Sequence, residues 1–187
     1  MSKREEIIQL ADSLIRQKGF NAFSFYEISD IVGIKTASIH YHFKTKSDLG
    51  VAVANKHIDN LQILIDRSKG DSPTQKLHNF FSIYENIKEE NNVCLVGSLA
   101  TDFRTLDEKI QERLKALSDM ILSWVEEILL QGKAQKEFRY NGESRTKALM
   151  IVSNMLASVQ LIRVTEQSDF EKIKQQIIID LTEKIAS

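Results

Sequence analysis

Lys35-Thr36-Ala37-Ser38-Ile39-His40-Tyr41-His42-Phe43 packs basic, hydroxyl and aromatic side chains into nine residues, and no acid interrupts the chain from Lys35 to Lys46. On a helix at roughly 100° per residue, Ile39 and Phe43 share one face, and Ala37 and Tyr41 point the opposite way. Ser38 and His40 fall on the flanks. Such a helix has two apolar anchors behind and a polar, aromatic face in front. The front could enter the major groove of DNA, or it could be ordinary solvent-facing surface. The nine residues alone leave both readings open.

The flanking chain narrows the choice. Residues 3–18 carry Ile7, Leu10, Ala11, Leu14 and Ile15 at helical spacing and end at Gly19, which suits a C′ position. Ser24 and Glu27 have capping-box spacing, and Phe23 and Ile28 have that of the hydrophobic staple. A second helix therefore starts at Ser24, is expected to bury Phe25, Ile28 and Ile31, and stops before Gly33. Helix, glycine-containing turn and short helix make the helix-turn-helix pattern.

Beyond Phe43 the chain reads as helical almost throughout. Thr45 and Asp48 open a helix that carries Leu49, Ala52, Val53, Ile58, Leu61 and Ile65 and fades near Lys69-Gly70. Ser72, Pro73 and Gln75 suit N-cap, N1 and N3 of the next, with Leu77, Phe80, Phe81, Tyr84 and Ile87 on its apolar face. Val93–Phe103 reads as a loop and a short buried helix. Thr105 and Glu108 are expected to cap a long helix to about Gln131, with Gly132 after it and a polar loop to Glu143. Its seam is Ile110, Leu114, Leu117, Ile121, Trp124 and Ile128. Two last helices are expected over 143–164 and 168–185, the second capped by Ser168 and Glu171. Leu149, Val152, Leu156 and Val159 line the first; Phe170, Ile173, Ile177, Leu181 and Ile185 line the second. Ser153, Ala157 and Ser158 are small enough to admit another helix. So much apolar surface either completes the intrachain core or meets the same helices of a second copy in a four-helix interface.

Composition bounds the rest. With 187 residues, one proline and seven glycines, the chain can bury a sizeable core and reads as all-α. A formal net charge of −1 argues against a generally basic nucleic-acid coat protein but permits a local basic patch. Cys94 is the only cysteine, so no intrachain disulfide forms, as suits a reducing compartment. With no apolar h-region and no apolar run near ~18 residues, neither signal peptide nor membrane span is expected, and the chain reads as cytoplasmic. No nucleophile elbow, phosphate loop or Cys/His pair is recognisable. His40 and His42 diverge on a helix, and His57 and His78 lack clustered partners. Neither enzyme, cofactor nor metal is therefore expected.

The succession Gly19-Phe20, Phe25-x-x-Ile28, Gly33-Ile34, Tyr41-His42-Phe43, Lys46 and Leu49 resembles the TetR/AcrR family of bacterial transcriptional repressors. The motif covers about residues 4–50, and its ending, Tyr-His-Phe-Lys-x-Lys-x-x-Leu, is more specific than a generic helix-turn-helix. The later chain matches in layout. The resemblance implies a DNA-binding domain over 1–46 and a ligand-binding and dimerisation domain over 47–187. It implies a homodimer on a partly palindromic operator, released when a small ligand re-spaces the two recognition helices.

On the DNA side, Lys35, Thr36, Ala37, Ser38, His40, Tyr41 and His42 fall on recognition-helix positions. Lys46 falls on the phosphate-binding lysine, and Ser24 on a helix N-terminus that attracts phosphate. His40 departs from the Tyr or Phe of many members. Thr36, Ser38 and His40 are the base-edge candidates, and none is an Arg, Asn or Gln suited to bidentate reading. Heavy dependence on phosphate contacts and DNA shape is expected.

On the ligand side, the resemblance directs attention to Phe80, Phe81, Tyr84, Phe103, Met120, Trp124, Met150 and Met155 for an apolar or aromatic effector. His57, His78, Ser98, Thr101, Asn154 and Gln160 are candidates to orient it. The dimer surface would draw on Leu149, Val152, Ser153, Leu156, Ala157, Val159, Phe170, Ile173, Ile177 and Leu181. Three alternatives stand beside the ligand-released repressor. One is an activator or nucleoid-associated protein without an effector. Another is a thiol-based electrophile sensor acting through Cys94, whose apolar neighbours favour a buried thiol. The third is a helical carrier or enzyme, which has no need of an outward Tyr41 and His42.

Overall fold

The computed structural model describes residues 1–182; Ile185, assigned above to the last apolar seam, lies outside them. The described residues form α1 (Lys3–Lys18), α2 (Phe25–Val32), α3 (Thr36–His42), α4 (Lys46–Arg67), α5 (Pro73–Glu89), α6 (Leu95–Thr101), α7 (Glu108–Ala134), α8 (Ser144–Leu161) and α9 (Ser168–Thr182). Short 3-10 turns at Phe20–Ala22 and Phe103–Thr105 complete the helical inventory, and the fold is all-α. No helix among the described residues is long and apolar enough to cross a membrane.

The chain divides into two compact units. One comprises 1–60 and 92–118, the other 61–91 and 119–187. In the first, α1 packs on α2, α3 and α6, burying Ile7, Ala11, Ile15, Ile28, Ile39, Phe43 and Leu49. Gly50 lets α4 and α7 meet: a Cβ there would stand 2.8 Å from both Ile110 Cδ1 and the Phe20 ring. In the second unit α8 packs on α5 and α9. Lys174 Nζ bridges Glu85 (2.7 Å) and Glu171 (2.6 Å), and Lys88 Nζ stands 5.0 Å from the Phe170 ring centroid, so α9 is tied to α5 by charge.

Several helix ends differ from the sequence expectation, each for a visible reason. The Thr45–Asp48 box forms in both directions, and so does a Ser2–Glu5 box that the sequence reading passed over. Ser24 and Ser72 each accept from the backbone three residues on. The return bonds are missing, because Glu27 turns to Lys18 and Gln75 to Asn79. Glu171 is likewise drawn to Lys174 and Lys88, and the Ser168 hydroxyl goes to Glu166 instead. α7 begins at Glu108, after the turn that holds Thr105, with Asp107 Oδ1 accepting from the Lys109 amide at 3.0 Å. α8 ends at Leu161, leaving Val164 beyond it.

Ile31 is a correction to the expected core. It is 58% exposed. The inward arc of the eight-residue α2 is centred near Phe25, Ile28, Ser29 and Val32, and Ile31 lies about 110° away from it. Gly132 is another. It sits inside α7, not after it, and its carbonyl accepts from the amides of Glu137 (2.9 Å) and Phe138 (3.0 Å). Lys136 supplies the left-handed residue (φ 62°) of this Schellman-type ending.

The first unit also buries charge. Asp12 on α1 accepts from Arg16 Nη1 at 3.2 Å and pairs with His57 Nε2 of α4 at 2.7 Å. Arg16 Nε donates to the Val93 carbonyl at 2.9 Å, just ahead of α6. Burial would raise the Asp12 carboxyl. The hydrogen bonds and charges of His57 and Arg16 outweigh it and hold the carboxyl below its ordinary value.

A Cβ at Gly132 would stand 2.0 Å from the buried Phe138 ring. Gly132→Ala is therefore expected to lower stability by about 1–3 kcal/mol, read as a lower urea midpoint. Asp12 gives a second prediction. A carboxyl that titrates lower in the folded state contributes stability fully above its unfolded value, and the contribution is lost as pH falls through the folded value. Asp12→Asn should cost about 2–3 kcal/mol at neutral pH. Its deficit against wild type should shrink below about pH 4, as read by urea unfolding across pH.

Candidate nucleic-acid interface

α2 ends on Gly33, whose φ of 70° and ψ of 38° are left-handed, a conformation that costs glycine nothing and a Cβ-bearing residue about 1 kcal/mol or more. The Ile34 amide returns to the Ser29 carbonyl at 3.0 Å, closing a tight turn into α3. Ile39 and Phe43 are buried behind α3, and Arg4 lies over the Phe43 ring at 5.2 Å. The front is open. Tyr41 is 85% exposed, and Lys35, Ala37, Ser38 and His40 are exposed with it. His42 is half-buried, its ring 5.1 Å from that of Tyr41. Lys3, Ile34, Ala37, Ser38, Tyr41 and His42 line a shallow depression on this face.

Two of the positions are tied into the protein. Thr36 Oγ1 lies 3.1 Å from Ser29 Oγ, which donates to the Tyr26 carbonyl at 2.8 Å. Lys46 donates to the Phe23 carbonyl and stands over the Phe23 and Phe20 rings at 4.1 and 5.0 Å. Burial pushes the Lys46 ammonium below its ordinary value, against the pull of Asp102 and Glu27. Lys46 thus clasps the start of α4 to the chain entering α2, beside Ser24, an exposed N-cap. An ammonium has three hydrogens, so this bond leaves two for other acceptors. Tyr26 on the first turn of α2 is another large exposed side chain of the helix-turn-helix, at 73%, and the sequence reading gave it no role. Its place about 100° from Phe25 on the helix was the available signal.

The candidate ligand residues fall in both units. Phe80 forms ring contacts with Phe81 (5.7 Å), Tyr84 (5.4 Å) and Trp124 (6.3 Å). All four are buried, as is Met155; Met120 is half-buried, while Met150 and Asn154 are exposed. His78 and Gln160 are exposed. The others belong to the first unit: His57 is paired with Asp12, and Ser98 donates to the Ile15 carbonyl at 2.6 Å. Thr101 is exposed, and Phe103 lies under Lys115 Nζ at 5.6 Å. Of the candidate dimer residues, Val159, Phe170, Ile177 and Leu181 are buried within the chain. Val152, Leu156, Ala157 and Ile173 are half-buried, and Leu149 and Ser153 are exposed, as are Leu161 and Ile179 nearby. Cys94 is buried, and burial pushes its thiol above the ordinary value. Among the described residues no group of three or more His, Cys, Asp or Glu side chains is placed to hold a metal ion.

Comparison with known proteins converges on one family. Residues 7–53 match the family described as bacterial regulatory proteins, tetR family, and residues 73–176 match the tetracyclin repressor-like C-terminal domain. The HTH-type transcriptional repressor KstR2 of Mycolicibacterium smegmatis is 29% identical over 147 residues, covering 74% of this chain and 68% of that protein. A TetR transcriptional regulator from Legionella pneumophila superposes with a TM-score of 0.86 at 32% identity, over 97% of this chain and 98% of that one. A TetR-family regulator from Agrobacterium tumefaciens does so with a TM-score of 0.90 at 25% identity, with the same coverage. A helix-turn-helix built around α2, Gly33 and α3, continued by matched sequence through α5 to α9, makes this chain a member of the TetR family of DNA-binding transcriptional regulators and not an enzyme.

Proposed function

We propose that this chain is a homodimeric repressor that is released from its operator by a small apolar or aromatic ligand. The observation that carries the DNA part is the contrast across α3. Ile39 and Phe43 are buried while Tyr41, one turn apart in register from Ala37, stands almost fully in solvent. Tyr41 shares that open face with Lys35, Ala37, Ser38 and His40, a side free of acids that suits a polyanion. In this reading α3 lies in the major groove with Thr36, Ser38 and His40 toward base edges. Lys35, Tyr41 and His42 join Ser24 and Lys46 around phosphates, and Ala37 gives close approach. Residues 1–46 serve as the DNA-binding domain and 47–187 as the effector and dimer domain.

The description of the KstR2 relative as a repressor supports the sign of regulation. The dimer is supported by the apolar residues left exposed along α8 and α9, Leu149, Met150, Leu161 and Ile179, with Ser153 and Ala157 small enough for helices to approach. Support for an apolar effector comes from the aromatic cluster around Phe80, which polar ligands would have to desolvate to enter. Buried and with its thiol pushed up, Cys94 lacks the accessible thiolate that electrophile sensing requires.

Tyr41→Ala should weaken operator binding about tenfold or more in a gel-shift titration, with unchanged circular dichroism and urea midpoint; wild-type affinity would overturn the placement of α3. Sedimentation should give a dimer at micromolar concentration, and Leu161→Glu should shift it toward monomer. An apolar effector is tested by screening apolar and aromatic compounds for release of bound operator; a panel without effect counts against it.

A further inference from the structure

The recognition helix has an unusual hydrogen-bond polarity that its residue types do not reveal. Threonine and histidine can each donate or accept, so Thr36 and His40 look permissive as base readers. Their partners remove that freedom. Ser29 has one hydroxyl hydrogen, and the Tyr26 carbonyl, which can only accept, takes it at 2.8 Å. The 3.1 Å contact between Ser29 Oγ and Thr36 Oγ1 must then be made with the Thr36 hydrogen. Ser29, the middle of this chain, is buried, and Thr36 is half-buried against it. Thr36 keeps lone pairs for a ligand and has no hydrogen left to give.

His40 is constrained in the same sense. Its Nδ1 lies 3.3 Å from the Lys44 carbonyl, again an obligate acceptor, and its ring stands edge-to-face with Phe25 at a centroid distance of 5.1 Å. A hydrogen on Nδ1 satisfies that carbonyl, and the tautomer that carries it there leaves Nε2 as an acceptor. Thr36 and His40 are four residues apart, on one side of α3.

We propose that the reading face of α3 is an acceptor pair, Thr36 and His40, that selects exocyclic amino groups in the major groove. The inference rests on α3 being the groove-reading helix. Adenine N6 and cytosine N4 are donors there, whereas guanine O6 and N7 and thymine O4 are acceptors. An acceptor-only Thr36 opposite a carbonyl places two lone pairs together, so the rejection of carbonyl edges contributes as much as the attraction of amino edges. Ser29, which does not itself reach the groove, is the positioning residue that sets the polarity.

The test begins with full-length protein and a random-sequence duplex library, from which bound sequences are recovered for wild type and for Thr36→Val. The base pair whose preference the variant erases is the one Thr36 faces. In that pair, purine is substituted for adenine, or 2-pyrimidinone for cytosine, deleting only the exocyclic amino group. Wild-type binding should fall about fivefold on this deletion, and Thr36→Val binding should be indifferent to it. Thr36→Ser, which keeps the hydroxyl, should restore the wild-type response. Ser29→Ala frees the Thr36 hydrogen and should relax the discrimination against guanine or thymine edges at that position while leaving the other positions unchanged. A wild-type protein indifferent to amino deletion at that pair, or a Ser29→Ala profile identical to wild type, would overturn the acceptor assignment with α3 still the reader. No sequence enrichment with wild type, or Thr36→Val and Tyr41→Ala both binding as wild type, would overturn the placement of α3 itself and the inference with it.

Discussion

The burial of Ile39 against α1 and α2 is the contact on which the rest of the DNA-facing geometry hangs. A helix of seven residues is too short to persist in water on its own propensity. α3 exists because Ile39 and Phe43 are taken up by a core already held by Ile7, Ala11, Ile15 and Ile28. That core fixes the rotation of α3 about its axis, and the rotation decides which side chains face out. The Gly33 turn sets the angle at which α3 leaves α2, and Lys46 holds the following helix against the Phe23 carbonyl. Tyr41 is exposed as a consequence of these inward contacts.

Charge is used inside the first unit as well as on its face. Asp12, Arg16 and His57 form a buried or half-buried set that touches α1, α4 and the backbone at Val93. Hydrophobic residues of similar volume could fill such a space with no loss of stability. What the ionic set adds is direction: each partner must arrive at a given distance and angle. The carbonyl of Ile15 adds to this by accepting from Ser98 of α6. Three helices, α1, α4 and α6 with the segment leading into it, are thus held in register by bonds that break abruptly when geometry changes.

Much of the candidate interface was legible in the order of residues, because it follows from short-range rules. The Phe23–Ile28 spacing, the Gly33 stop and the apolar pair Ile39 and Phe43 act over one or two turns, and the structure follows them. Reading failed where a side chain chose between local and distant partners. Glu27 left the Ser24 box for Lys18, and Glu171 left Ser168 for Lys174 and Lys88. Ile31 looked like core because apolar residues three apart usually share a face. α2 meets its neighbours over an arc too narrow to include it. Gly132 looked like a stop and is instead a clearance for the Phe138 ring.

The sequence by itself determined the helical class, the helix-turn-helix and which side of α3 is apolar, since helical periodicity and turn chemistry are properties of neighbouring residues. It also carried the family resemblance that the comparisons establish. Only the tertiary structure decided what those face residues can offer. Thr36 is an acceptor because Ser29 and the Tyr26 carbonyl claim its hydrogen, and His40 is turned the same way by the Lys44 carbonyl. Lys46 is partly committed to the Phe23 carbonyl. A side chain's type sets how many hydrogen bonds it can make; its folded neighbours set which of them remain free.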